Sequence, residues 1–273
     1  MPIHSLQYLH PARVDEARKL FEGNDEAAYL AGGHTLLPTM KQGLARPETI
    51  VDLGGIPALR GIDFNDDVVA IGAGTCHADV AASAVVREHI PALAGLAGSI
   101  GDRHVRNRGT IGGSLANNDP SADYPAAVLG LGATVVTDRR EIVADDYFVA
   151  LYETALEPGE IVTRVCFPVP EIAGYAKFRS AASRYSIAGV FVSRSAQAVR
   201  VAVTGAGAGG VFRATALEQA LTKDFSASAL DGLSIDPAGL LEDNNGTPEY
   251  RANLAMVMAR RAMENLGSTQ SYK

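Results

Sequence analysis

Residues Gly109 to Pro125 read GTIGGSLANNDPSADYP. One short segment combines a glycine pair, two asparagines, two aspartates and two prolines, and hydrophobic sequence follows it. Glycine reaches backbone angles that other residues avoid, and Asn, Asp and Pro favour turns through side-chain hydrogen bonds or a fixed φ. The segment therefore reads as a shaped loop that holds something. A second stretch, LAGGHTLL at residues 30–37, repeats the design of an apolar approach, Gly-Gly and then polar residues. In both, successive backbone N–H groups can point into one concavity, with the hydroxyls of Thr35, Thr110 and Ser114 as further donors. Such a nest binds phosphate oxygens without a lysine. Neither stretch matches GxGxxG or GxxxxGK[ST]. A glycine pair also makes an ordinary tight turn; two similar loops in one chain, the second continued by NNDPSADYP, tilt the balance toward a ligand whose identity the spacing alone does not give.

The composition bounds the answer. The chain has 273 residues, 47% hydrophobic and 20% charged, enough for a substantial core in one domain or several lobes. A formal charge of −7 restricts any nucleic-acid surface to a local patch. The most apolar run, AAVLGLGATVV at 126–136, is too short to span a bilayer, and the N-terminus lacks signal-peptide architecture. Cys76 and Cys166 stand far apart with no CxxC pair, which argues against a disulfide scaffold or an iron–sulfur site and makes a reducing cytoplasm the default compartment.

Along the chain, PARVDEARKLFE at 11–22 has helical spacing and stops near Gly23. ETIVDL, DDVVAIGAG and ATVVT read as strands. Residues 77–101 read as two helices broken before Pro91, and a short helix runs from Asp123 to about Gly130. Pro158-Gly159 marks a turn. After it EIVTRVCFPV, GYAKFRS, SIAGVFVSR and AVRVAVTGAGAGGVFRA read as successive antiparallel strands. A final helix takes Thr247 as N-cap and Pro248 as its first residue, and stops at Gly267. Strands and helices mix without a regular βαβ beat, so the fold class is α+β.

Other chemistry finds little support. The six histidines form no HxxxH or HxH pair, and there is no GxSxG elbow. RHVRNRG at 103–109 sets three arginines ahead of the second glycine loop, where they could screen phosphate charge, meet a partner's carboxylates or form a solvated loop. Tyr185, in ASRYSI, suits either a core position or a wall over a flat ligand.

LAGGHTLLPTMKQGLARPETIVDL together with HVRNRGTIGGSLANNDPSADYPAAVLGLGATV closely resembles the medium, FAD-binding subunit of the molybdenum hydroxylases, the group of aerobic carbon monoxide dehydrogenase and the xanthine dehydrogenase-like enzymes. EPGEIVTRVCFP and YAKFRSAASRYSIAGV fit as well, so the resemblance covers nearly the whole chain. It implies a fold of the vanillyl-alcohol-oxidase (PCMH) type: two α/β lobes, at 1–55 and 56–158, cradling FAD, and a C-terminal lobe at 159–273 of a three-stranded antiparallel sheet with helices. By position, Ala31, Gly32, Gly33, His34, Thr35 and Leu36, with Thr110, Ile111, Gly112, Gly113 and Ser114, would wrap the FAD diphosphate in backbone amides. Gly112 and Gly113 would let the backbone touch phosphate oxygens. Asn117 and Asp123 match cofactor contacts, Asp123 accepting from ribose hydroxyls. Ile161 matches an apolar neighbour of the flavin or adenine, and Lys177 a lysine near the flavin or its ribityl chain. Tyr185 matches a residue lying over the isoalloxazine ring, and Ile100 another ring contact. Ala28 departs from the family, standing where many relatives carry Lys or Arg.

The resemblance further implies an electron-transfer role. Substrate is hydroxylated at a molybdenum cofactor on a large subunit, electrons cross two [2Fe–2S] clusters on a small subunit, and FAD on this chain passes them to an external acceptor, within an α2β2γ2 assembly. No residue here is expected to act as a substrate acid or base, and no nucleic-acid or membrane partner is implied. Two alternatives stand beside it: a free-standing flavin oxidase or dehydrogenase of the same fold, and a nucleotide-binding or assembly module with no redox role.

Overall fold

The computed structural model describes residues 6–269. Three groups of elements follow one another along the chain. The first comprises β1 (Gln7–Leu9), α1 (Val14–Glu22), β2 (Ala27–Leu30), α2 (Leu36–Lys41) and β3 (Thr49–Asp52). Its three strands are parallel in the order β1-β3-β2, with Thr49 in register with both Gln7 and Ala27. Val51 and Ala17 bury their side chains with Ile56, Leu59 and Ile161, so this small core already borrows a residue from the far end of the second group.

The second group holds most of the helices: β4 (Ile62–Asn65), β5 (Val68–Gly72), α3 (His77–Ala82), α4 (Ala84–His89), α5 (Pro91–Ser99), α6 (Arg103–Arg106), α7 (Ile111–Asn117), α8 (Tyr124–Leu131), β6 (Thr134–Thr137), β7 (Glu141–Val143), α9 (Ala144–Tyr147), β8 (Phe148–Ala150), β9 (Glu153–Thr154) and β10 (Val162–Pro168). Residues 77–99 carry three helices where two are expected. Besides the break before Pro91, Ser83 leaves helical geometry at φ −59°, ψ 125° and its hydroxyl accepts from the Val86 amide at 3.3 Å, starting a new helix.

The third group is β11 (Ile172–Arg179), β12 (Ser186–Arg194), β13 (Val199–Thr204), β14 (Phe212–Arg213), α10 (Thr215–Lys223) and α11 (Pro248–Glu264). Two expectations change here. EIVTRVCFPV does not open this sheet: β10 runs between β5 and β6, antiparallel to both, at the centre of the five-stranded sheet β4-β5-β10-β6-β7. Its alternating apolar residues satisfy either sheet equally, and only long-range pairing decides. The C-terminal sheet is likewise four-stranded, β11-β12-β13-β14, because Phe212 and Arg213 pair with Val203 and Ala202. A two-residue strand is too short to leave an alternation in the sequence.

The long α11 begins as expected, the Thr247 hydroxyl accepting from the Tyr250 amide at 3.3 Å and Pro248 occupying the first turn. It closes over β11 and β12 around Ala255, Met258, Ala259 and Ala262, all fully buried. The approach is close enough that the Ala262 carbonyl oxygen lies where a Cβ on Gly174 would stand. Gly174→Ala should therefore lower stability by about 1–3 kcal/mol, the range for overpacking a tight interface; urea denaturation measures it, and an unchanged midpoint would mean that the helix packs more loosely than described.

Candidate functional site

The quoted stretch is divided between two tasks. Thr110 caps α7, its hydroxyl accepting from the Gly113 amide at 3.1 Å. Asn118 ends that helix in the left-handed region at φ 44°, and its side-chain amide donates to the carbonyls of Ala150 and Glu153, both at 2.9 Å, clamping the β8–β9 hairpin. The following turn is stitched to the C-terminal sheet. Thr204 Oγ1 donates to the carbonyls of Pro120 and Ala122 at 3.1 and 2.6 Å, and the Gly205 amide donates to Pro120 at 2.8 Å. Asp123 then enters a buried cluster, accepting from Tyr175 at 2.5 Å, Ser186 at 3.0 Å and Lys177 at 2.8 Å. Half of the motif thus shapes a cavity, and half joins two lobes.

That cavity measures about 900 Å³ and lies where all three groups of elements meet. Fifteen of the seventeen residues singled out from the sequence line it: Ala31 through Leu36, Ile100, Thr110, Gly112, Gly113, Ser114, Asn117, Asp123, Ile161 and Tyr185. Two do not. Ile111 is fully buried in the core of the middle lobe. Lys177 sits behind the wall, its ammonium held between Asp123 and the Arg184 carbonyl at 3.4 Å. It therefore orients the loop that carries Tyr185, and Arg184, at φ 63°, bends that loop so that the Ser180 amide can reach the Tyr185 carbonyl at 2.9 Å.

The two glycine loops, alike in sequence, differ in what their amides do. In the second loop the amides are taken: Ile111 donates to Thr75 at 3.2 Å, Gly112 to Ala73 at 2.8 Å, Gly113 to the Thr110 hydroxyl and Ser114 to the Thr110 carbonyl at 3.0 Å. Gly112 is glycine because a Cβ would stand 2.5 Å from that of Ala73. The close approach at this position is of protein on protein, which corrects the expectation that its amide meets a phosphate. In the first loop the amides of Gly32, Gly33, His34, Thr35 and Leu36 have no acceptor among the described residues. Gly33 takes φ 74°, and at Gly32 a Cβ would run into the Arg108 carbonyl. The loops therefore lock together, and the five amides without an acceptor belong to residues that line the cavity. Unpaired backbone N–H groups in this number are a fit for a diphosphate; a Cβ on Gly113 would lie 3.0 Å from Thr110 Oγ1 and 3.7 Å from the Cβ of Ala31.

Sequence reasoning missed several lining residues. Leu59 and Arg60 arrive from a 3-10 turn with no distinguishing pattern, while Asp119 was inside the quoted motif and His77 directly follows Cys76 at the start of α3. His77 is pinned by its own amide, which donates to the Gly109 carbonyl at 3.0 Å, and its ring occupies the space a Cβ on Gly109 would need. Burial pushes its imidazole down from 6.5 to about 4. Glu160 also lines the cavity; burial alone would raise its carboxyl, but hydrogen bonds from Arg140, the Glu157 amide and Thr137 outweigh it and hold it at about 2.

Both groups bind a proton more readily unfolded than folded, so each contributes stability that is lost on acidification. For His77 the loss spans pH 6.5 down to about 4, and for Glu160 it continues from about 4.5 to about 2. The His77 part is on the order of 3 kcal/mol by the shift alone. Urea midpoints measured from pH 7 to 4 should fall for the native chain and flatten for His77→Gln; parallel curves would show that this imidazole is not the titrating group.

Comparison with known proteins places the chain in a family. Residues 4–170 match the family described as FAD binding domain in molybdopterin dehydrogenase. The chain is 34% identical over 282 residues to the nicotine 6-hydroxylase medium subunit of Paenarthrobacter nicotinovorans, covering 98% of this chain and 99% of that one. It is also 34% identical over 278 residues to the carbon monoxide dehydrogenase medium chain of Hydrogenophaga pseudoflava, covering 94% and 95%. Among solved structures, carbon monoxide dehydrogenase from Hydrogenophaga pseudoflava matches with a TM-score of 0.85 at 35% identity over 95% of this chain and 96% of that one. Quinoline 2-oxidoreductase from Pseudomonas putida 86 matches with a TM-score of 0.84 at 26% identity over 97% of each. With its two interlocked glycine loops facing a cavity at the meeting of three lobes, the chain belongs to the FAD-binding medium subunits of the molybdenum hydroxylases, an oxidoreductase family.

Proposed function

We propose that the cavity holds FAD with its diphosphate against the amides of Gly32 to Leu36, and that the chain relays electrons from the [2Fe–2S] clusters of a small partner subunit to an external acceptor. The five unpaired amides on one wall carry this reading. Bound FAD would supply the redox chemistry, and the protein its position and surroundings. Thr35, Thr110 and Ser114 add hydroxyls beside the amides. Asn117 and Asp119 offer polar groups further along the same wall, and Asp123 presents an edge of its carboxylate to ribose hydroxyls while Lys177, Tyr175 and Ser186 hold it in place. Ile100, Ile161 and Tyr185 form the apolar walls that exclude water from the ring system. Tyr185 keeps 47% of its surface exposed, as suits a side chain covering the mouth through which electrons leave.

The fold is read as the vanillyl-alcohol-oxidase (PCMH) type with lobes at 1–55, 56–158 and 159–273, residues 1–5 and 270–273 lying outside the described part. Strand Val162–Pro168 reaches back from the third stretch into the sheet of the second. The large partner would carry the molybdenum cofactor, the assembly would be α2β2γ2, and the compartment the cytoplasm; no described helix is long and apolar enough to cross a membrane.

A visible spectrum of the purified chain, alone and with its partner subunits, tests the function. Flavin bands reduced by substrate only in the complex are expected. Reduction in the lone chain would point to a free-standing flavoenzyme, and a protein that stays colourless with added FAD would remove the flavin altogether. FAD at one hundred times its Kd should stabilise the apoprotein by about 2.7 kcal/mol. Gly113→Val should lose FAD, because its side chain crowds Thr110 Oγ1, 3.0 Å from the added Cβ, and enters the space beside Ala31; a folded variant with full flavin content would displace the diphosphate from this site.

A further inference from the structure

We propose that a second pocket beside the FAD cavity binds the phosphate group of a small soluble molecule. The pocket has a volume of about 650 Å³ and is lined by His34, Arg103, His104, Asn107 and Arg108. Each lining side chain is able to donate hydrogen bonds. The arginine motif that precedes the second glycine loop is divided here. Arg106 is used internally, donating to the carbonyls of Ile100 at 2.9 Å and Gly101 at 3.2 Å. The side chains of Arg103 and Arg108 have no hydrogen bond or ion pair among the described residues. The carboxylate next in sequence, Asp102, accepts from the amides of His104 at 2.7 Å and Val105 at 3.0 Å. In a chain whose net charge is −7, two guanidinium groups therefore line a concavity with no ion-pair partner among the described residues. Guanidinium forks match phosphate oxygens in a planar, bidentate way.

The pocket is not part of the diphosphate cradle, but it is fastened to it. His34 and Arg108 line both cavities, and the Arg108 carbonyl fills the space left by the missing side chain of Gly32. The wall that meets the second ligand is thus built on the loop that meets FAD. A phosphate group is the smaller match to a concavity lined by one loop residue and one short turn, and titration into the complex separates it from a subunit contact. A phosphate-bearing small molecule, such as a soluble electron acceptor or effector docking beside FAD, matches its size and charge.

Isothermal titration of inorganic diphosphate into the FAD-loaded full chain, and into its complex with partner subunits, tests the assignment. One saturable site per chain is expected in both, weakening as salt is raised. Arg103→Glu and His104→Glu, both exposed and outside the FAD cavity, should weaken it at least tenfold while flavin absorbance stays unchanged. Binding unaltered by these variants, or seen only after FAD is removed, overturns the proposal and returns the phosphate to the FAD cradle. Binding to the lone chain that the complex abolishes also overturns it and makes the rim a subunit contact. Absence of flavin bears on the FAD reading alone, because the effect of Arg103→Glu on diphosphate binding is still measured.

Discussion

The molecule depends on a buried carboxylate. Asp123, 4% exposed, stands at the start of α8 in the middle lobe, and all its side-chain partners, Tyr175, Lys177 and Ser186, come from β11 and β12 of the C-terminal lobe. Removing a carboxylate and an ammonium from water is costly, and their attraction offsets that cost only when geometry is good and the remaining lone pairs are satisfied. Here three donors surround one acid, so sliding either lobe would strand a charge. The Thr204 and Gly205 hydrogen bonds to the Pro120–Ala122 turn act in the same place and direction. The C-terminal lobe can therefore supply a wall of the cavity, the loop bearing Tyr185, in a defined position.

The glycines do different work from what a phosphate loop suggests. Gly32 meets Arg108, Gly109 meets His77 and Gly112 meets Ala73, each with no space for a Cβ. These three contacts draw the first loop, the second loop and the end of β5 together. Protein interiors are close-packed and do not yield easily to an added methyl group. Ligand-facing donors then remain mainly on the first loop, where no internal acceptor competes for them. This division gives the second loop to architecture and leaves the unpaired amides to the first, although their sequences share a pattern.

Electrostatics separates two surfaces of an acidic protein. The cavity lining holds no lysine, and the amides of its first glycine loop are neutral donors that can bind phosphate without a buried cation to desolvate; the arginines that do line it are Arg60, Arg108 and Arg184. Further cations lie in the turn from Arg103 to Arg108, and Arg108 lines both cavities.

The sequence by itself determined the α+β mixture, the final helix with its Thr247-Pro248 start, and most of the cavity wall, because glycine loops, caps and apolar alternation are local signals carried within a few residues. It also pointed to FAD through motifs long enough to be specific. Only the tertiary structure decided the rest. The position of Val162–Pro168 in the middle sheet depends on partners about 95 and about 30 residues earlier in the chain, which alternation cannot distinguish. Lys177 was read as a cofactor contact and stands one layer behind, because a buried Asp123 draws its ammonium away from the cavity. The amides of the second loop were read as phosphate donors and are taken by Ala73 and Thr75, carbonyls contributed by a different segment. In each case the choice between competing partners is made by burial, and burial exists only once the lobes have come together.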